Sequence, residues 1–261
     1  MLLQKPYLQT KMWSQWVSGV QYEIDYWKNY VSTGGGVYKE DFEKRCLLDI
    51  DFDDMISPII SRLPKTNIRI LDVGSGPLTC LGSKISGYEV EVIPTDPLAF
   101  QYNRILEMHQ IVPRVSTTFA LGEELEIYFP RDSFEIVHCQ NALDHSLDPT
   151  RALIQMFVVC KVGGYVMLRH AHNEAERENY AGFHQWNLTL KDGHFIIWNK
   201  DEEINFSDEV AGFASHEILM QDGYLINVFR KRADVPLGLC ESASARMSNF
   251  QAAVVASLGH I

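Results

Sequence analysis

The sequence predicts an α/β protein whose largely parallel sheet has helices on both faces. Apolar runs of strand length alternate with helical patterns over residues 68–169, and this alternation favours right-handed crossovers between parallel strands. The first of these runs, residues 68–73, leads directly into a turn with glycine at positions 74 and 76. A buried strand followed by a glycine turn is typical of a sheet that binds a ligand at the carboxyl ends of its strands.

The chain before this strand, residues 1–64, is predicted to form a helical cap. Large apolar residues recur there at steps of three and four, which places them on one stripe of a helix; they are Trp13, Trp16, Val17, Val20, Ile24, Trp27 and Val31. Three glycines at 34–36 end this helix, and residues 55–63 form a second helical stretch. Two interpretations of the aromatic helix stay open: it packs on the main domain, or it forms a lid over a substrate.

The central domain is predicted over residues 65–232. Its first five strands cover residues 68–73, 90–94, 115–119, 134–139 and 165–169, with helices at 98–108 and 152–159. Pro77 suits the first turn of a further helix, because its missing N–H needs no partner there. The positive end of that helix would then face the ligand.

Residues 171–205 are predicted to be an insertion in this domain. Its apolar residues flank the turn Lys191-Asp192-Gly193, which indicates a hairpin. A last antiparallel strand pair follows at residues 217–220 and 224–229. Residues 233–261 form a tail in which no chemistry is recognised.

Composition argues against several classes of partner. The chain has 261 residues and a formal net charge of -11, so nucleic acid is not an expected partner. Its five cysteines have no C-x-x-C spacing, which favours reduced thiols. No signal peptide and no membrane-length apolar segment is found in the sequence. We therefore expect a cytoplasmic protein without membrane contact, and the sequence leaves its oligomeric state open.

The glycine turn is preceded by an acid and followed, after the second strand, by another. Asp72 lies two positions before Gly74, and Asp96 closes the second strand. Thr79 stands where a dinucleotide fingerprint needs its third glycine, so that fingerprint fails. The chain here resembles the class I S-adenosylmethionine-dependent methyltransferases, whose first motif is an acid followed by G-x-G. The resemblance implies a Rossmann-like, seven-stranded sheet with an antiparallel last strand.

Three later segments are similar to further motifs of this family: residues 122–125, residues 133–145, and the turn at 161–165. In the family, the glycine turn receives the methionine part of the cofactor, the acid after the second strand holds the ribose hydroxyls, and the later segments lie around the adenine and the sulfonium. The resemblance thus implies these cofactor-binding residues: Asp72, Gly74, Ser75, Gly76, Asp96, Pro97, Gly122, Glu123, Glu124, Leu125, Gln140, Asn141 and Ala142. A capped turn with solvated acids is the open alternative for residues 122–125.

Methyl transfer to a hydroxyl needs a base beside the acceptor. His145 follows the fourth strand and is the first candidate, because imidazole titrates near neutral pH; a histidine that only hydrogen-bonds the backbone is the alternative. Asp144 is expected to orient it, and His170 is a further catalytic candidate. The polar stretch that follows supplies the predicted substrate-binding residues, with Trp186 as a stacking face: His172, Asn173, Tyr180, His184, Gln185 and Trp186.

The predicted reaction is O-methylation of a small polar metabolite or sugar. Residues 182–187 are similar to a run in type 11-like bacterial methyltransferases that act on surface polysaccharides and small metabolites. No metal is predicted, although His170, His172 and Glu174, with His145 or Asp144, would be an alternative ligand set for a divalent ion. Two rival functions stay open: a cofactor-binding protein that transfers no methyl group, and an NAD-dependent oxidoreductase.

Overall fold

A computed structural model describes residues 6–240, with side chains described from residue 19 onward. The central sheet has six strands in the order β2-β1-β3-β4-β9-β8, and a second sheet has the order β5-β6-β7. The strands are β1 (Asn67–Val73), β2 (Glu89–Thr95), β3 (Phe134–Gln140), β4 (Cys160–Ala171), β5 (Asn187–Lys191), β6 (His194–Trp198), β7 (Glu203–Asn205), β8 (Ala214–Gln221) and β9 (Tyr224–Lys231).

The central sheet is parallel from β2 to β4, and β9 lies antiparallel between β4 and β8. The predicted α/β class and the antiparallel strand near the end of the chain are therefore confirmed. The hairpin predicted in the insertion is also present, as the pair β5–β6 with Lys191 opposite His194. The strand β7, which extends this hairpin, was not predicted.

Within residues 6–240, eight α-helices surround the sheets: α1 (Pro6–Ser32), α2 (Lys39–Cys46), α3 (Ser57–Ser61), α4 (Ala99–Met108), α5 (Leu125–Tyr128), α6 (Pro149–Val159), α7 (Glu174–Arg177) and α8 (Phe206–Val210). The predicted helices at 98–108 and 152–159 correspond to α4 and α6. Asp148 starts α6, because its side chain accepts a hydrogen bond from the Arg151 N–H and Pro149 occupies the first turn.

The two faces of the central sheet carry separate cores, because side chains alternate along each strand. On one face, Leu71, Val137 and Val166 pack with the buried side of α6. On the other face, Ile70 and Met167 pack with α3. Helices therefore cover both faces, as predicted.

The aromatic helix α1 packs through its described half. Val20, Ile24, Trp27 and Val31 share a cluster with Tyr102 of α4, and the Trp27 and Tyr102 ring centroids are 6.0 Å apart. The side chains of the earlier members of the predicted stripe lie outside the described residues. The helix ends at three glycines with positive φ, as predicted.

The prediction of a strand at residues 115–119 is wrong, so the sheet has six strands and not seven. The segment makes a single bridge, between Thr95 and Thr118. Its hydrogen bonds to β2 are Thr118 N–H to Pro94 O and Asp96 N–H to Thr118 O. Pro94 has no N–H, so the donor that would continue this ladder is missing.

The prediction of a helix that begins at Pro77 is also wrong, because residues 74–88 form no helix. Their backbone groups instead bond to an earlier segment: Ser83 N–H donates to Ile50 O, and Phe52 N–H donates to Lys84 O. A Cβ on Gly82 would come within 2.6 Å of the Asp51 backbone, so this close approach requires glycine. The glycine turn thus has no helix dipole behind it.

Within residues 6–240, no helix combines the length and the apolar character that crossing a membrane requires. Of the predicted tail, only residues 233–240 are described.

Candidate active site

A cavity of about 600 Å³ opens at the carboxyl ends of β1, β3 and β4. The glycine turn after β1, the end of β2 and the turn after β3 form its floor. Residues of α1 and of the insertion form its other walls. Such a crevice is the usual ligand site of a parallel sheet.

The glycine turn is fixed by its own amides. Gly74 and Gly76 have φ values of 71° and 65°, which other residues adopt only with strain. The N–H groups of Gly74 and Ser75 donate to Thr95 O, and the Gly76 N–H donates to Asp96 Oδ2 over 3.2 Å. A Cβ on Gly74 would overlap with the Ala142 side chain. Only glycine therefore lets this turn approach the one after β3.

Asp72 is buried below the turn and has two side-chain partners. Its Oδ2 accepts a hydrogen bond from the Thr79 hydroxyl over 2.6 Å, and its Oδ1 lies 2.7 Å from His138 Nδ1. The sequence identified Thr79 only as a missing glycine and gave no role to His138. In the structure, both residues hold the acid of the glycine motif in place.

Asp96 is a buried carboxylate at the cavity wall. Its oxygens accept hydrogen bonds from the N–H groups of Leu98 and Gly76. Burial raises the pKa of Asp96 to about 7, although these two hydrogen bonds act in the opposite direction. A carboxylate offers about four acceptor positions, so Asp96 retains capacity to accept two further hydroxyl groups.

Three ring and carboxylate atoms converge after β3. His184 Nδ1 lies 2.8 Å from Asp144 Oδ2 and 3.1 Å from His145 Nε2, and the Asp144 and His145 atoms are 3.4 Å apart. Asp144 is buried, whereas His145 and His184 line the cavity. The cluster forms because the insertion folds back on the turn, where Gln185 N–H donates to Asp144 O.

The pKa values of Asp144 and His184 are shifted in opposite directions. Burial would raise the pKa of Asp144, but the His145 charge and the hydrogen bond from His184 lower it to about 2. Burial would lower the pKa of His184, but its hydrogen bond to Asp144 raises it. Asp144 is therefore ionised at neutral pH and stabilises a proton on His184.

Comparison with known proteins identifies the domain that carries this site. The family described as methyltransferase domain matches residues 71–168, which include the glycine turn, Asp96 and the turn after β3. These residues form a class I S-adenosylmethionine-dependent methyltransferase domain. Its cofactor is S-adenosylmethionine.

Two curated relatives each share 34% identity with the chain. One is an uncharacterized methyltransferase of Schizosaccharomyces pombe, aligned over 114 residues that make up 41% of either chain. The other is the ubiquinone/menaquinone biosynthesis C-methyltransferase UbiE of Proteus mirabilis, aligned over 109 residues that make up 40% of this chain and 43% of the relative. The chain thus spans about two fifths of the length of the curated relatives it matches.

Solved structures share the fold. The CurJ carbon methyltransferase superposes with a TM-score of 0.51 at 16% identity, covering 68% of this chain and 52% of the other. A protein of Methanococcus maripaludis assigned to the S-adenosylmethionine-dependent methyltransferases superposes with a TM-score of 0.50 at 13% identity, covering 81% and 94%. At these identities the likeness concerns the architecture of the domain.

Most predicted cofactor residues of the methyltransferase domain line the cavity: Asp72, Gly74, Ser75, Gly76, Asp96, Pro97, Gly122, Glu123, Gln140, Asn141 and Ala142. Glu124 is not among the lining residues. The prediction for Leu125 needs correction, because this side chain is fully buried in the core.

Glu123 caps a turn, as in the alternative considered for residues 122–125, but its side chain is buried and not solvated. Its Oε1 accepts hydrogen bonds from the N–H groups of Leu147 and Asp148, just before α6. Burial raises the pKa of this carboxyl group. Glu123 therefore forms part of the cavity wall, while its carboxylate is hydrogen-bonded to the backbone before α6.

The predicted catalytic role of His170 is corrected by the structure. The side chain is buried, is not among the cavity-lining residues, and has no hydrogen-bond partner for either ring nitrogen among the described residues. Burial lowers its pKa to about 4. His170 is therefore a neutral side chain within the domain.

Trp186 also requires correction, because it is fully buried in the core and offers no stacking face. Four other predicted substrate residues hold the insertion together instead of lining the cavity. His172 bonds Thr189, Asn173 accepts from Trp198, the Tyr180 hydroxyl accepts from Asn187, and the Gln185 amide donates to two loop carbonyls. Of the six predicted substrate residues, His184 alone lines the cavity.

Sequence patterns missed several cavity residues of the methyltransferase domain and its flanks. Tyr22 and Tyr26 of α1 line the cavity and are half exposed, while Trp27 lines it and contacts Gly76. The described half of the aromatic helix thus packs on the domain and also lines the cavity, while a lid over a substrate stays a prediction. Arg169 and Tyr224 line the cavity as well. In the sequence, the aromatic stripe of α1 was the feature that could have pointed to the cavity residues of this helix.

The metal set considered from the sequence is not brought together. Among the residues with described side chains, two other groups have ligand atoms within 4.8 Å of one another: Asp144, His145 and His184, and Asp72, Cys80 and His138. In both groups several of these ligand atoms already have partners within the protein, while Asp144 Oδ1 has none among the described residues. Burial raises the pKa of Cys80 to about 12, which disfavours the thiolate that a metal needs.

Proposed function

We propose that the protein transfers the methyl group of S-adenosylmethionine to a hydroxyl of a small polar acceptor. The observation that carries this proposal is the cluster of Asp144, His145 and His184 at the wall of the cavity. It follows β3 directly, beside the turn at Ala142 that touches the glycine turn. A base in this place lies where the methyl group would be transferred.

The residues of the floor fit the cofactor. The glycine turn is a surface that side chains at Gly74 and Gly76 would fill, and it would hold the methionine part. Asp96 would accept the ribose hydroxyls with its remaining lone pairs, and Gly122 and Glu123 would border the adenine. When bound, the cofactor supplies an electrophilic methyl group on a sulfonium.

In the proposed mechanism, residues of the chain position the acceptor and remove its proton. We assign the ring proton of His145 to Nε2, which lies 3.4 Å from Asp144 Oδ2, so that the lone pair is on Nδ1. That nitrogen takes the proton of the acceptor hydroxyl, and Asp144 stabilises the imidazolium that forms. His184 holds the same carboxylate oxygen and fixes its direction. Asp144 and His184 are thus positioning residues.

Carbon is the second candidate for the acceptor atom. Two of the similar proteins, UbiE and CurJ, are named as methyltransferases that act on carbon. Removal of a proton by imidazole would serve an acidic carbon as well as a hydroxyl. Carbon-13 NMR of the methylated product separates the two cases, since O-methyl and C-methyl carbons differ widely in chemical shift.

We further propose residues 1–64 as a helical cap, residues 65–232 as the cofactor-binding domain and residues 171–205 as the insertion that faces the acceptor. A cytoplasmic location and a small-molecule acceptor, as opposed to nucleic acid, belong to the same proposal. The acidic net charge supports a small-molecule acceptor over nucleic acid.

Two measurements test the proposal. Calorimetry with S-adenosylhomocysteine tests cofactor binding, and transfer of labelled methyl groups to a panel of hydroxylated metabolites and sugars tests turnover. Binding with turnover supports the proposal. Tight binding without turnover on any acceptor favours a cofactor-binding protein that transfers no methyl group. Binding of NAD in place of S-adenosylhomocysteine favours an oxidoreductase.

A further inference from the structure

Arg169 is a cation in the cavity wall, and no acid within residues 19–240 forms an ion pair with it. It lies near the carboxyl end of β4, opposite Gln140 of β3 and Ile226 of β9. Its guanidinium carbon lies 3.8 Å from the centroid of the Tyr224 ring. Among the side chains of residues 19–240 and the backbone of the described chain, no hydrogen bond or ion pair to the Arg169 side chain is found. Its N–H groups are therefore available to a ligand.

The other arginines that line the cavity differ from Arg169. Arg45 pairs with Asp41 over 2.7 Å and donates to Leu78 O over 2.8 Å. Arg177 lies one helical turn after Glu174, whose carboxyl group feels its charge. The acids near these two arginines offset their charge. For Arg169, no ion pair with an acid is found within residues 19–240.

Stacking on Tyr224 prepares Arg169 for a planar anion. The ring covers one face of the guanidinium and holds its plane, while the N–H groups at the edge stay free. A fixed guanidinium edge matches the two oxygens of a carboxylate. Because Arg169 is one cation with no ion-pair partner among residues 19–240, a singly charged carboxylate suits it better than a doubly charged phosphate.

The carboxylate of the cofactor itself is better placed near a different cation. The methionine part is assigned to the glycine turn, and Arg45 hydrogen-bonds Leu78, two residues beyond that turn. Arg169 lies two strands away from β1 in the sheet, which corresponds to roughly 10 Å at the usual strand spacing. Arg169 is on the side of the cavity that leads to the insertion.

We propose that Arg169 binds a carboxylate of the methyl acceptor and that Tyr224 positions it. This inference rests on the proposed function and narrows its acceptor to a hydroxy acid. Arg169 determines specificity and takes no part in proton removal.

The test uses pairs of acceptors that differ only in the charged group. The pairs are 4-hydroxybenzoate with 4-hydroxybenzamide and galacturonate with galactose. The full chain, saturated with S-adenosylhomocysteine, is titrated with each compound by calorimetry. We expect at least one acid to bind at least tenfold more tightly than its neutral partner, and Arg169→Gln to abolish that preference.

Controls separate this role from a structural one. Arg104 is an exposed arginine of α4, and Arg104→Gln should keep the preference. Arg169→Lys keeps the positive charge but loses the paired N–H groups of the guanidinium, and this variant should retain part of the preference for the acid. Tyr224→Leu should weaken acid binding without removing the preference. All variants should bind S-adenosylhomocysteine as the wild type does.

Several outcomes overturn the inference. They are equal binding of acid and neutral compound by the wild type, binding of no acid in the panel, and an acid preference that survives Arg169→Gln. Loss of S-adenosylhomocysteine affinity in Arg169→Gln would instead assign Arg169 to the cofactor. Failure of the proposed function looks different, since the wild type would then not bind S-adenosylhomocysteine or would methylate nothing.

Discussion

The Gly76 amide donates a hydrogen bond to Asp96 Oδ2 over 3.2 Å, which joins the glycine turn after β1 to the acid at the end of β2. The same carboxylate accepts from Leu98 N–H over 2.8 Å. Asp96 therefore sets the shape of the turn and also faces the cavity. A change at this residue affects both the floor of the site and the ligand bound there.

We expect Asp96→Ala to weaken S-adenosylhomocysteine binding by about 10- to 100-fold, because the ribose hydroxyls lose a buried acceptor worth roughly 1–3 kcal/mol. Isothermal calorimetry measures this change. Asp96→Asn, which keeps one acceptor oxygen, should lose less affinity. Asp54 is exposed, and Asp54→Asn serves as the control. Unchanged affinity in Asp96→Ala would remove the ribose assignment.

Cofactor affinity should depend on pH through Asp96. Its folded pKa of about 7 lies above its ordinary value of 3.8, so between these values the folded state holds a proton that the unfolded state has lost. The contribution of Asp96 to the stability of the cofactor-free protein therefore becomes less favourable as pH rises from about 4 to 7. The ionised carboxylate is the better acceptor for ribose hydroxyls.

Affinity for S-adenosylhomocysteine should consequently fall as pH decreases below 7, by up to about tenfold per pH unit. Calorimetry between pH 5.5 and 8 measures this dependence. Asp96→Asn cannot ionise, and its affinity should vary little over the same range. A wild-type affinity that stays constant across this range would contradict the role of ionised Asp96.

His145→Gln should reduce turnover by about 10²- to 10⁴-fold, the usual contribution of a general base. Cofactor affinity should stay within twofold of the wild type, because the ring serves the acceptor. Initial rates and calorimetry on the same preparation separate the two effects. His109 is exposed after α4, and His109→Gln should behave as wild type. Full activity of His145→Gln would exclude it as the base.

Gly76→Ala should disturb the contact between the glycine turn and α1. The new Cβ would lie 2.7 Å from the Trp27 ring, and the residue has a φ of 65°. Gly87 shares a positive φ of 85° but has open space around its Cβ position, so Gly87→Ala reports the backbone strain alone. We expect Gly76→Ala to lower both the melting temperature and cofactor affinity more than Gly87→Ala does. Equal effects of the two variants would show that the Trp27 ring moves aside for the new Cβ without further loss of stability or cofactor affinity.

Methyl transfer should persist after treatment with a chelator. In the proposed mechanism, His145 accepts the proton of the acceptor and Asp144 stabilises the imidazolium that forms. No metal is therefore needed at the cluster. Activity measured after dialysis against EDTA, together with the metal content of the protein, checks this expectation. Loss of activity that is restored by a divalent ion would assign Asp144, His145 and His184 as metal ligands instead.

Local patterns predicted the parts of the domain that depend on near neighbours. The strand before Gly74 was predicted because its apolar residues and the following glycines are adjacent in the chain. The antiparallel strand β9 was predicted for a similar reason, since the turn 221–223 joins it to its hairpin partner β8. The helix after Pro77 was not correctly predicted, because the segment bonds to residues 50–52 and no local signal records that pairing.

The sequence by itself determined the class of the domain, the glycine turn with Asp72 and Asp96, and His145 as a candidate beside the turn after β3. These features rest on periodicity and short spacings, which a single chain displays. Only the tertiary structure decided that His184 joins Asp144 across 40 residues, that Trp186 and His170 are buried, and that Arg169 has no acidic partner in the part of the chain whose side chains are described. Burial and partnership arise when distant segments pack, because each segment removes water from the other and supplies or withholds its hydrogen bonds.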